Sequence, residues 1–190
     1  MEYMGDAQWW NSRFMNRSLD LMSHEKKLEN DLDRFKSHGK VLDVACGDGR
    51  NSIFLARKGY FIEAIDFSEE ALQRLHHFAA AENLHIKTSL RDLTAENAFS
   101  NLDEYDAIMI NHYRLKGSSY CILESHLKPD GILWVNGFRQ VPVDNPNITD
   151  RDLILDEDFR NLANCKLVQK EQYENGTYQL VRYIFGKQQY

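Results

Sequence analysis

The stretch Val41 to Arg50, V-L-D-V-A-C-G-D-G-R, constrains this chain more than any other. Val41-Leu42-Asp43-Val44-Ala45 reads as a buried strand, because an apolar run this short is bounded at once by turn residues. Cys46-Gly47-Asp48-Gly49 breaks it, and a helical pattern begins at Arg50. A strand that runs through two glycines into a helix presents bare backbone N–H groups, and the missing side chains let a ligand approach them. A second apolar run, Phe61-Ile62-Glu63-Ala64-Ile65, ends at Asp66. A carboxylate about 20 residues past a glycine turn, at the tip of the next strand, suits a ribose diol. Together these features predict a Rossmann-like βαβ unit that holds an adenosine-bearing cofactor.

The glycine pattern separates the candidate cofactors. Dinucleotide sites use G-x-G-x-x-G, whose third glycine allows close helix–strand packing. Ser52 stands at that third position, and an acid, Asp48, lies between the two glycines where it disfavours a pyrophosphate. No phosphate loop of the form G-x-x-x-x-G-K-[ST] occurs. Asp43 adds a second carboxylate near the strand end. A ligand carrying an ammonium and a sulfonium tolerates these acids, and S-adenosylmethionine is such a ligand. D-V-A-C-G-D-G resembles the glycine-rich first motif of the class I S-adenosylmethionine-dependent methyltransferases, D-x-x-x-G-x-G. The resemblance is nearest the tellurite-resistance and thiopurine branch. Arg50-Asn51-Ser52 after the loop adds to it, as does Trp9-Trp10-Asn11-Ser12-Arg13-Phe14, which is similar to the W-x-x-x-[RK]-[FYW] segment ahead of that motif.

The rest of the chain fits one α/β domain, residues 1–190, with an N-terminal helix or lid over 1–38 and the core over 39–190. Leu21, Leu28, Leu32 and Phe35 predict a helix over Leu19–Lys36, capped by Gly39. Ser68, followed by Glu69 and Glu70, predicts a helix start. Ile86–Ser89 reads as a third strand and Tyr105–Asn111 as a fourth, continuous enough to be covered on both faces. A helix over Ser118–Leu127, a turn at Lys128-Pro129-Asp130-Gly131 and a strand over Ile132–Phe138 follow. A further helix is expected over Asp156–Asn164. Lys166–Tyr173 and Thr177–Phe185 pair across Asn175-Gly176, a hairpin signal. Strands alternating with helices predict a parallel sheet with an antiparallel edge. The family resemblance implies a three-layer Rossmann-like sandwich of seven strands in the order 3-2-1-4-5-7-6.

A net charge of -6 without a basic run argues against a nucleic-acid footprint. No apolar run approaches membrane-spanning length. The opening residues lack a basic, apolar leader pattern, and three widely spaced cysteines read as reduced thiols. The expected location is therefore cytoplasmic. No His/Cys spacing suits a metal; His76 and His77 read as surface residues.

The resemblance implies roles at the carboxyl ends of the strands. Ala45, Cys46, Gly47 and Gly49 form the loop at the methionine part of the cofactor, beside Asp43. Asp66 accepts the ribose hydroxyls, Phe67 lies on the adenine, and Asp92 with Leu93 reads its amino edge. Trp10 and Arg13 of the lid, and Asn111 at the fourth strand, complete the cofactor residues. His112 and Tyr113 are the candidate catalytic pair facing a small-molecule methyl acceptor; packing under the lid is their alternative role. Asn111-His112-Tyr113-Arg114 lacks the [DNS]-P-P-[YF] motif of base-methylating enzymes. Trp9, Trp10, Tyr113 and Phe138 are expected pocket walls, with Arg13, Arg114 and Arg139 available to one anionic group. Two other readings remain: a non-catalytic protein that binds S-adenosylmethionine or S-adenosylhomocysteine, and a nicotinamide-dependent oxidoreductase.

Overall fold

The structure, a computed structural model, describes residues 6–189. Residues 1–5 of the expected lid lie outside the described residues. Seven strands form one sheet: β1 (Lys40–Val44), β2 (Phe61–Asp66), β3 (Ile86–Leu90), β4 (Tyr105–Asn111), β5 (Leu127–Phe138), β6 (Cys165–Asn175) and β7 (Tyr178–Lys187). Their order is β3-β2-β1-β4-β5-β7-β6, as the family resemblance implied. The chain forms two compact units, Met1–Leu93 and Thr94–Tyr190.

In the first unit β1, β2 and β3 run parallel, with Val44 opposite Ile65 and Asp66 opposite Leu90. Both β1 and β2 are buried almost throughout, which is why their sequences are continuous apolar runs rather than alternating ones. Helices α1 (Ala7–Met15), α2 (Lys26–Asn30), α3 (Arg50–Arg57) and α4 (Glu69–Ala81) accompany them, and α1 packs against α4. Ser68 caps α4 as expected, its hydroxyl accepting from Ala71 N at 3.2 Å.

The helix expected over Leu19–Lys36 is not one helix. Residues 19–25 are irregular, and only the single turn of α2 and a 3₁₀ turn at Leu32–Arg34 form. Tertiary bonds take the backbone groups that a helix needs. Arg74 takes the carbonyls of Arg17 and Ser18, Arg50 takes that of Ser23, and Glu25 N–H donates to Asn51 Oδ1 at 2.9 Å. The His24 ring stacks on Phe54 with centroids 3.7 Å apart. The left-handed residue before β1 is His38, not Gly39.

In the second unit β4 and β5 run parallel, and β7 joins β5 and β6 antiparallel. β5 begins at Leu127, so Lys128–Gly131 lies within the strand as an irregularity, with Asp130 left-handed, rather than as a separate turn. Helix α5 is Gly117–Ser125. The helix expected over Asp156–Asn164 is a 3₁₀ turn at Asp156–Phe159. Its continuation is prevented by Glu124, whose carboxylate accepts from Ala163 N–H at 3.1 Å and Asn164 N–H at 2.7 Å. The hairpin closes at Asn175 opposite Tyr178. In β6 the register shifts between Leu167 and Gln169, leaving Val168 outside the pairing.

Among the described residues no helix is long and apolar enough to cross a membrane.

Candidate functional site

The first unit gathers its distinctive residues at the carboxyl ends of β1 and β2. After Val44 the backbone turns through Ala45 (φ 56°), Gly47 (φ 57°) and Gly49 (φ 82°), three left-handed residues in five. Cys46 N–H still donates to Ile65 O at 3.1 Å, so the loop leaves the sheet only after that bond. Gly49 then starts α3, with Ile53 N–H donating to its carbonyl at 2.8 Å. An ideal Cβ on Gly49 would lie 2.1 Å from Leu75 Cδ1, so α3 and α4 approach too closely there for any side chain.

Asp66, at the tip of β2, is 4% exposed. One carboxylate oxygen accepts from Gly47 N–H at 2.8 Å, the other from Ser68 N–H at 2.9 Å. Burial pushes its pKa up, the backbone bonds from Ser68, Gly47 and Phe67 oppose that, and Asp48 adds to the rise. An ionised carboxylate offers about four acceptor positions, so capacity for further donors remains. This bond joins the glycine loop and the β2 tip in one place.

Asp43 is 2% exposed and accepts from Ser52 Oγ at 2.6 Å. Burial pushes its pKa up to about 7, opposed by the Ser52 bond. Ser52, which replaces the third glycine of a dinucleotide motif, therefore fastens the first turn of α3 to β1. Cys46 is buried, and desolvation with Asp66 and Asp43 nearby holds its thiol well above the ordinary range. That suits a packing residue. Asp48 corrects an expectation. Its carboxylate meets Arg17 Nη1 at 3.1 Å and Arg74 Nη2 at 3.4 Å, so its charge is neutralised inside the protein.

Helix α1 lies over the loop through Phe14, which faces Gly47: a Cβ there would be 3.4 Å from Phe14 Cζ. Trp10 stacks on Phe14 at 5.7 Å, and the Arg13 guanidinium sits 5.3 Å from the Trp9 ring. Asn11 Oδ1 accepts from Ser68 Oγ at 2.6 Å. Phe67 is half-buried beside these contacts, while past β3 Asp92 is exposed and Leu93 buried. The structure thus brings Asp43, Ala45, Cys46, Gly47, Gly49, Asp66 and Phe67 together, with Trp10 and Arg13 on the covering helix. Asn11 and Phe14 belong to the segment Trp9–Phe14 read as a lid, though neither was singled out; Arg17 and Arg74 were not expected there and carried no signal.

In the second unit Asn111, His112 and Tyr113 leave the end of β4. Asn111 Oδ1 accepts from Asn136 Nδ2 at 2.9 Å, and Asn136 Oδ1 accepts from Tyr173 OH at 2.8 Å. His112 is left-handed, donates its N–H to Asn136 O at 2.7 Å, and tilts its ring against Phe138 at 4.9 Å. Asn136 and Tyr173 extend this cluster; the signal was the asparagine that directly follows the apolar run Ile132–Val135. Arg114 is not available to a ligand anion. Its guanidinium is bidentate on Asp158, with contacts of 2.7 and 3.1 Å. Among the described residues no group of three or more His, Cys, Asp or Glu is arranged around a metal position.

A groove of about 720 Å³ lies at the other ends of β2 and β3, beside Phe61, His76 and His85. Its buried carboxylate, Glu63, is held by Lys87 at 3.0 Å and Lys40 at 3.9 Å, and the strand tips that carry the glycine loop are remote from it.

The family model described as "Tellurite resistance protein TehB" matches residues 14–114, which include the glycine loop and Asp66. The chain belongs to the TehB family. A probable S-adenosyl-L-methionine-dependent methyltransferase TehB of Haemophilus influenzae is 40% identical over 73 residues, 38% of this chain and 26% of that protein. A ubiquinone biosynthesis O-methyltransferase of Actinobacillus pleuropneumoniae is 29% identical over 139 residues, 67% of this chain and 58% of that protein. The chain thus spans 26% and 58% of the length of these two curated relatives. The crystal structure of TehB from Haemophilus influenzae superposes with a TM-score of 0.68 at 22% identity, covering 95% of this chain and 67% of that one. The TehB match ends at Arg114.

Proposed function

We propose that this TehB-family chain is a cytoplasmic S-adenosylmethionine-dependent methyltransferase acting on a small molecule, with residues 1–190 forming a single methyltransferase domain. The observation that carries the reading is the 2.8 Å bond from Gly47 N–H to Asp66. It puts the Asp66 carboxylate beside the backbone of the glycine loop, an arrangement that suits a nucleoside followed by an amino-acid tail. Gly47 also suits the loop conformationally, since its φ of 57° is left-handed, where a residue with a side chain is strained.

In this reading Asp66 holds the ribose hydroxyls and Phe67 lies against the adenine, with Asp92 and the N–H of Leu93 at its amino edge. Ala45, Cys46, Gly47 and Gly49 carry the methionine part, and Asp43 sets the loop through Ser52. Trp10 and Arg13 cover it, and Asn111 adds a contact. When bound, S-adenosylmethionine supplies a methyl carbon activated by the sulfonium. The chain's task is to align an acceptor with that carbon and exclude water, and alignment alone is worth roughly 7–11 kcal/mol of barrier. His112 and Tyr113 contact the acceptor and hold its proton where it must lose one. Similarity to an S-adenosyl-L-methionine-dependent methyltransferase and to an O-methyltransferase supports methyl transfer, and the lack of a basic run in the sequence favours a small acceptor over a nucleic acid.

Isothermal calorimetry with S-adenosylhomocysteine and with NAD tests the reading. S-adenosylhomocysteine binds, NAD does not, and Asp66→Ala weakens the first by at least roughly tenfold, since a hydrogen bond to a charged group is worth about 1.5–3 kcal/mol. Failure of the wild-type protein to bind S-adenosylhomocysteine sinks the reading. A labelled-donor screen of thiols, amines, oxyanions and metalloid salts then identifies the acceptor.

A further inference from the structure

The loop acid Asp48, which stands between two glycines, is 4% exposed. Oδ2 alone receives Arg17 Nη1 at 3.1 Å, Arg74 Nε at 3.4 Å and Arg74 Nη2 at 3.4 Å. Arg74, on α4, is itself 7% exposed. It extends past Asp48 to the carbonyls of Arg17 at 3.3 Å and Ser18 at 2.6 Å. Arg17 in turn lies over the Phe14 ring, 5.2 Å from its centroid. One carboxylate therefore joins three segments: the glycine loop, α4, and the strap that follows α1. The Asn11–Ser68 bond is an independent second tie, from α1 to the residue two past Asp66. Both ties end on the loops that close β1 and β2.

A buried pair kept for stability alone has little reason to persist, because well-packed apolar groups of the same volume do as well or better. What two guanidiniums around one carboxylate supply is direction. They fix the path of Gly47-Asp48-Gly49 and, by the same contacts, the position of Phe14 over Gly47.

We propose that Asp48 is a positioning residue for the cofactor: through Arg17 and Arg74 it holds the N-terminal strap on the glycine loop. Helix α1 thereby becomes one wall of the pocket, and affinity depends on a side chain that does not touch the ligand. This inference rests on the S-adenosylmethionine reading above.

The test uses the full chain, S-adenosylhomocysteine as probe, calorimetry, and chymotrypsin cleavage at Trp9, Trp10 and Phe14. Asp48→Asn lowers affinity by roughly tenfold, a loss of about 1.4 kcal/mol. It also speeds cleavage of α1. Asp48→Glu recovers part of both, because a carboxylate again reaches the guanidiniums. Arg17→Ala, on the half-exposed strap, reproduces the loss without removing a group from α4, and it carries the test if Asp48→Asn does not fold. The double variant Asp48→Asn with Arg17→Ala is no weaker than Asp48→Asn alone. Wild-type affinity and wild-type cleavage in Asp48→Asn and Arg17→Ala overturn this proposal alone. Absence of binding by the wild-type protein overturns the cofactor reading and this proposal with it.

Discussion

Replacing Gly49 by alanine separates the two demands that the loop makes on one residue. The backbone there has φ 82°, a left-handed conformation that costs a residue with a Cβ roughly 1–2 kcal/mol. The added methyl would also lie 2.1 Å from Leu75 Cδ1 and 2.9 Å from Leu75 Cγ, and Leu75 is fully buried. Overpacking of this kind costs about 1–3 kcal/mol. The two terms sum to roughly 2–5 kcal/mol. For a chain of this size that lowers Tm by roughly 5–15 °C. The assay is thermal and urea unfolding of Gly49→Ala, Leu75→Ala and the double variant. Leu75→Ala alone costs about 2–5 kcal/mol. In the double variant the new methyl occupies vacated space, so the combined loss falls short of the sum by about 1 kcal/mol or more. Gly47→Ala is the control: with φ 57° and a nearest contact of 3.4 Å, it carries the conformational cost and little steric cost. Additive losses at Gly49 and Leu75, or a Gly49→Ala protein as stable as the wild type, refute the reasoning.

Asp43 titrates with a folded pKa raised to about 7, so its charging opposes folding. Stability contributed by the protonated form is lost as pH rises from about 4 to about 7, at up to about 1.4 kcal/mol per unit. Asp43→Asn keeps an oxygen for Ser52 and does not titrate, so it is the more stable protein at pH 8 and the flatter in a Tm series from pH 4 to 8; parallel curves would show the assignment to be wrong. Arg114→Ala strands the buried carboxylate of Asp158 and costs about 3 kcal/mol in urea unfolding. A loss below 1 kcal/mol there would mean that the Leu155 N–H, 2.9 Å from Asp158, suffices. His112→Ala combined with Tyr113→Phe slows transfer to the acceptor found by screening by roughly 100-fold, the scale of general acid–base catalysis. Affinity for S-adenosylhomocysteine stays near wild type, and a matched loss of that affinity would move the pair out of the acceptor site.

Strands β1, β2 and β4 were legible in the sequence because they are buried on both faces. Val41–Val44, Ile62–Ile65 and Ala107–Ile110 are apolar runs with turn residues at both ends, and the hairpin carries its own Asn-Gly signal. The glycine loop and Asp66 were legible for the same reason: local geometry demands them. Two helices were misjudged where long-range bonds outweigh periodicity. Nothing near Ser18 announces that Arg74 takes its carbonyl, and nothing near Ala163 announces Glu124. The role of Asp48 was hidden likewise. Its partners, Arg17 and Arg74, lie far from it in sequence, and nothing beside Asp48 announces them.

The unpaired residue in β6 has a consequence for the behaviour of the protein at high concentration. β6 is last in the strand order and is 11 residues long, with Leu167 and Val168 both exposed. A long regular margin of this kind is a template for further strands from other molecules. Val168 interrupts it: the extra residue bends the strand and throws its outward N–H and C=O groups out of line. Deleting Val168 would leave Leu167 opposite Phe185 and Gln169 opposite Ile184 while straightening the margin. The damage would appear as slow fibril growth on storage, in a protein whose melting curve had scarcely changed.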